Sequence, residues 1–172
     1  MTRPQNRKRL KLRSSEPSSP ERAYLYALRL LTARDYTVAR LQEKLRGRAF
    51  DENDVEAALD RMESEGWVDD RRFAERFAES ALASGRYYGP RLRQEMRRRG
   101  LQPELVSEVL GRVLVERDEV EEVRAIVDRR FSGFSFSAAG DREKRRAVGF
   151  LQRRGFSLSA IMRALRATEQ YE

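Results

Sequence analysis

Four arginines, Arg91, Arg93, Arg97 and Arg98, fall within eight residues of a 172-residue chain that has neither histidine nor cysteine. The planar guanidinium fork makes two parallel hydrogen bonds to a phosphate or a carboxylate, so the chemistry to expect is capture of acidic groups, not bond breaking. Arg86 lies just upstream, beside Tyr87 and Tyr88. A second basic run comprises Arg142, Lys144, Arg145 and Arg146, followed by Arg153 and Arg154. The missing side chains remove imidazole bases, thiol nucleophiles, disulfides and thiolate metal sites. No glycine-rich phosphate loop is present. Among the carboxylates only Asp69-Asp70 has a distinctive setting, and helix capping accounts for it. No catalytic, metal or cofactor role is assigned to any residue.

At about 100° per helical residue, Leu92 and Met96 share one side of the helix opened by Gly89-Pro90. Arg91, Arg93, Arg97 and Arg98 then point away from the core, and Glu95 sits towards one edge. A solvated helix normally mixes signs on its outer face. The alternatives are a functional basic face and an ordinary soluble surface. The matching helix of an earlier segment, with Arg40, Glu43, Lys44 and Arg46, does mix signs. Helices over 51–65 and 118–128 are acidic and would repel nucleic acid.

The elements that carry these residues repeat. Leu41, Leu45, Phe50, Val55, Ala58, Leu59 and Met62 recur 51 residues later as Leu92, Met96, Leu101, Val106, Val109, Leu110 and Val113. A third copy follows after a further 55 residues, as Ala147, Leu151, Phe156, Ile161, Ala164 and Leu165. The 3.6-residue spacing of apolar positions predicts helices throughout. The fold expected is all-α: three tandem three-helix, helix-turn-helix-like repeats over 21–68, 69–116 and 117–172, in an elongated, curved row. Units of about 50 residues are near the lower limit for a self-sufficient core, so stacking on neighbours is expected. The joints between modules are then the easiest places to flex.

Local chemistry marks the boundaries. Thr37 and Asp51 are placed to cap helices. Gly100-Leu101 and Gly155-Phe156 predict a left-handed helix end followed by an apolar residue folded back on the core. The first copy has Ala49 there, so its turn must differ, with Gly47 a candidate to end the helix. Between the first two copies stands Gly66-Trp67-Val68-Asp69-Asp70-Arg71-Arg72-Phe73-Ala74. Trp67 is expected to plug this joint, Phe73 to be buried, and Asp69 or Asp70 to cap the next helix. Phe134 and Phe136 are expected to pin a Gly/Ser-rich loop to a helix groove.

The net charge is +8, of which residues 1–20 supply +5 through six basic residues against Glu16. With its prolines and serines this segment reads as a disordered basic arm, either solubilising or attracting phosphate. No apolar run approaches the roughly 20 residues of a membrane span, and the basic N-terminus lacks the apolar segment of a secretory signal.

The motif Gly66-Trp67-Val68-Asp69-Asp70 with Phe73-Ala74 resembles the Gly-aromatic-Leu-Asp-Asp-x-x-Phe-Ala signature of the RecX family of bacterial regulatory proteins. Gly89-Pro90-Arg91-Leu92 and Gly100-Leu101 resemble that family's second module. Leu151-Gln152-Arg153-Arg154-Gly155-Phe156, with Ile161 and Leu165, resembles its third. The resemblance covers about residues 21–168 and departs from the family at Val68 and Ala49. It implies three tandem three-helix repeats in a cytosolic, non-enzymatic protein; a monomer without a cofactor is expected. It also implies binding to the RecA recombinase, lodging in the groove of the RecA–DNA filament, and inhibition of filament extension, ATP hydrolysis, strand exchange and co-protease activity. Several members also bind DNA directly, single- or double-stranded. The contact residues expected from the charge map are Arg86, Arg91, Arg93, Arg97, Arg98, Arg145, Arg146, Arg153 and Arg154. A DNA-binding protein or transcription factor built on helix-turn-helix modules is the second reading, and a helical scaffold the third. The repeats show no recurring set of base-reading side chains of the kind a specific reader needs.

Overall fold

The computed structural model describes residues 17–131 and 133–167. The basic arm up to residue 16 lies outside the described residues, as does the end of the chain beyond residue 167. Among the described residues there are nine helices and no strand: α1 (Pro20–Leu31), α2 (Val38–Arg46), α3 (Glu52–Ser64), α4 (Asp70–Ala83), α5 (Gly89–Arg97), α6 (Pro103–Leu114), α7 (Glu119–Arg130), α8 (Asp141–Arg154) and α9 (Leu158–Ala167). They form three three-helix repeats, and in each the third helix packs on the first two.

Starts and stops follow from local chemistry. Ser19, Thr37, Asp69 and Asp118 each accept a hydrogen bond from a backbone N–H in the first turn of the helix they precede. Their side-chain oxygens satisfy donors that have no intrahelical partner. Pro20, Pro90 and Pro103 occupy first turns, where a missing N–H costs nothing. At the far ends Gly66, Gly85, Gly100 and Gly155 all have positive φ. After Gly66 the N–H of Trp67 reaches the carbonyl of Met62 at 2.9 Å, which closes the end of α3.

The repeated apolar positions form the cores. In the first unit, residues 1–68, Leu41, Leu45, Val55 and Met62 are fully buried. In the second unit, residues 69–172, one continuous core holds Leu92, Met96 and Val106 together with Val123, Leu151, Phe156 and Ile161. The second and third repeats are therefore not separately cored modules. Tyr88 stacks on Phe156 with ring centres 4.7 Å apart, and the N–H of Tyr88 donates to the carbonyl of Arg154 at 2.7 Å. These contacts join the repeats at the start of α5 and the end of α8.

Three local expectations are corrected. Trp67 is not buried: it is 54% exposed, with its indole N–H donating to Glu65 at 3.0 Å, and the next residue, Val68, is the one buried, in the core of the first unit. Glu65 also accepts from the Tyr24 hydroxyl and from Arg61, so the polar edge of the indole has a fixed partner outside the core. Phe73 is only half-buried and stacks near Phe77 at 6.1 Å. Gly47 does not end the first copy's helix in a left-handed turn: its φ is −63°, and Ala49 itself takes φ +64°.

A side chain at positive φ carries steric strain that glycine avoids. Ala49→Gly is therefore expected to stabilise the first unit by about 1 kcal/mol, since the native backbone already has the glycine conformation. Equilibrium urea unfolding checks this; a variant less stable than the parent would show that the turn is unstrained.

Candidate anion-binding site

Leu92 and Met96 anchor α5 in the core of the second unit and so fix which way its arginines point. Glu95 does not lie on an edge. It is 5% exposed and gathers three guanidinium groups: Arg91 at 2.8 Å, Arg98 at 3.3 Å and Arg99 at 3.0 Å. Burial pushes its carboxyl up, but the Arg99 hydrogen bond and the charges of Arg91, Arg98 and Arg99 outweigh that. The carboxyl ends below its ordinary range. A buried carboxylate with this many donors is a paired group, and pairing is what makes its burial tolerable.

The consequence is a division among the arginines of α5. Arg91 is held by Glu95 and by Gln94, which accepts from it at 2.8 Å. Arg99 is turned in over the Phe77 ring at 4.1 Å. Among the described residues Arg93 reaches only a neutral partner, the Ser107 hydroxyl at 2.9 Å. Arg97 is exposed and carries no ion pair to any described residue. A hollow of about 650 Å³ lies over this side, lined by Gly89, Pro90, Arg93, Gln94, Arg97 and Arg98.

On α8 the side chains of Arg145, Arg146 and Arg153 are exposed, and none forms an ion pair with a described residue. Lys144 lies over the Phe136 ring at 4.9 Å. Arg154 is different: it turns inward, stacks over Phe150 at 4.1 Å and donates to the carbonyl of Gly85. Burial lowers its pKa, and the charges of Arg130, Arg129 and Arg86 lower it further. Arg86 is exposed in the turn after α4. Arg129 and Arg130 were not among the residues expected from sequence, because they end a helix read as acidic. In the first repeat Arg40 is paired with Glu43 at 2.6 Å and Arg46 with Glu52 at 2.9 Å.

Among the described residues there is no group of three or more acidic residues placed to hold a metal ion. No helix among them is long and apolar enough to cross a membrane.

Fold and site together define an all-α protein of tandem three-helix repeats whose second unit presents exposed arginines, several of them without an ion pair to any described residue. The family models for the first, second and third three-helix domains of RecX match residues 23–62, 69–110 and 117–165 in order. The regulatory protein RecX of Trichlorobacter lovleyi is 45% identical over 144 residues, 84% of this chain and 94% of that protein. That of Syntrophotalea carbinolica is 38% identical over 140 residues, covering 81% and 91%. The crystal structure of RecX from Lactobacillus salivarius superposes with a TM-score of 0.68 at 15% identity, over 88% of this chain and 97% of that one. The chain belongs to the RecX family.

Proposed function

We propose that this protein binds the RecA recombinase on its nucleoprotein filament and restrains it, limiting filament extension, ATP hydrolysis, strand exchange and co-protease activity. The observation that carries the reading is the match of all three RecX domains in order along one chain. The charge distribution supports it. A filament groove offers phosphates and acidic side chains, and Arg93, Arg97, Arg145, Arg146 and Arg153 have no carboxylate partner among the described residues. Arg98, shared with Glu95 at the long distance of 3.3 Å, is the most readily redirected of that carboxylate's partners. Arg91 acts by holding the helix and its neighbours in place. The protein acts as a cytosolic monomer and by binding, without a cofactor.

RecA's DNA-dependent ATPase, measured on preformed filaments, tests the reading. Addition of stoichiometric protein is expected to lower the steady-state rate. An unchanged rate on intact filaments would overturn it.

A further inference from the structure

On α5, Glu95 cancels much of the charge. A cluster without such a carboxylate lies where the ends of α4, α7 and α8 meet. Arg129 donates to the carbonyl of Ser84 at 3.2 Å, and Arg154 donates to the carbonyl of the next residue, Gly85. Arg86 follows directly. Arg130 and Arg154 share one ring, Phe150, at 6.0 and 4.1 Å. Three guanidinium groups from α7 and α8 thus converge on one turn and one aromatic ring, and the charge of Arg86, the next residue of that turn, acts on Arg154. No carboxylate forms an ion pair with any of them among the described residues.

Like charges brought this close repel, and carbonyl oxygens at the end of α4 offset only part of the cost through their partial negative charge. The arrangement persists because Phe150 and the α4 carbonyls orient the forks of Arg129, Arg130 and Arg154 before any ligand arrives. Phe131 meets the same ring edge-on at 5.3 Å, which fixes Phe150 in turn. An anion would relieve the repulsion and find donors already placed. Tyr87, which lies under Arg91 at 5.8 Å and also adjoins Arg154, connects the cluster to the start of α5.

We propose that Arg86, Arg129, Arg130 and Arg154 form a phosphodiester-binding site, in which Arg86 and Arg130 contact the nucleic-acid backbone while Arg129 and Arg154 hold the turn and supply field. Phosphate is favoured over a carboxylate because a run of backbone phosphates presents charge continuously to several forks at once. The site reads no sequence, since its donors have no base edge to choose between and Phe150 is covered on its ring by arginine. This deepens the reading above by naming where such a protein meets nucleic acid, and it rests on that reading only for its biological setting.

The test uses the full chain and a short DNA duplex without RecA, with binding followed by fluorescence anisotropy across a salt series. Each neutralised phosphate contributes about 0.9 to the slope of log affinity against log salt. Arg86→Ala with Arg130→Ala is expected to flatten the slope by about 1.8. The pair Arg86→Lys with Arg130→Lys is expected to keep it, since the slope counts charges and not geometry. Thermal melting of each variant separates lost contacts from lost fold, and a variant that melts early is replaced by Arg130→Gln alone, with an expected flattening of about 0.9. An unchanged slope in folded variants, or no binding of the duplex even at low salt, overturns the site. So does loss of binding to polyglutamate with duplex binding intact. All of these can fail while the ATPase result stands, because RecA is absent.

Discussion

Gly155→Ala is expected to destabilise the second unit by about 4 kcal/mol and to lower its melting temperature by roughly 15 °C. Two costs add. At φ +102° any side chain is strained. A methyl group there would also overlap the Tyr88 carbonyl oxygen and lie 2.6 Å from Arg91 Cβ and 3.0 Å from Arg91 N. Two of these three are backbone atoms, which have no rotamer to yield. The start of α5 must therefore retreat from the end of α8, and the Tyr88–Phe156 stack and the Tyr88 to Arg154 backbone bond go with it. Gly133→Ala is the control in the same unit, with φ +76° and nothing within 4 Å of the added carbon. It should cost about 1 kcal/mol, the conformational term alone. Equal falls in melting temperature for the two variants would mean that the close approach of the repeats contributes nothing.

The second large effect is on binding. Replacing Arg93, Arg97 and Arg98 together with Ala is expected to weaken association with RecA–DNA filaments by roughly 100-fold, at about 1 kcal/mol for each exposed guanidinium. Replacing Arg40 and Arg46 should cost less than about threefold in the same assay, because a paired cation contributes little to a new partner. Both of the latter are engaged by carboxylates of their own repeat, Glu43 and Glu52. Equilibrium binding at fixed salt compares the two sets. Equal losses would mean that total charge governs the interaction and that its placement on the second unit does not. The comparison must hold ionic strength constant, since the electrostatic part of any such affinity falls steeply with salt.

Much of the architecture is legible from residue type and spacing. Apolar residues at 51- and 55-residue offsets mark three copies, and those positions are buried, from Leu41 and Leu45 to Ile161 and Leu165, except Phe50 and Val113, which are half-buried. Thr37 and Asp69 cap helices, and Gly100 and Gly155 end them, because these interactions lie within a few residues of the cap. Such features are set by the chain's nearest neighbours and need no knowledge of what packs on them. The family signature is legible for the same reason, being a run of turn, cap and core residues in a fixed order.

Other features depend on which surfaces meet. A helical wheel places Glu95 near an edge, yet the packing of α5 buries it and draws Arg91, Arg98 and Arg99 around it. Trp67 and Val68 are adjacent and both apolar. Only the rotation of the chain leaving Gly66, with Glu65 waiting for the indole N–H, sends Val68 inward and leaves Trp67 out. Arg129 and Arg130 belong to a helix that begins with Glu119, Glu121 and Glu122, so their local sequence reads as acidic. They join Arg86 and Arg154 because α4, α7 and α8 end at one place, and electrostatic energy depends on distance in space, not along the chain. Spacing along the sequence thus specifies the helices, their caps and their repeat. The pairing, burial and convergence of charge are properties of the packed repeats.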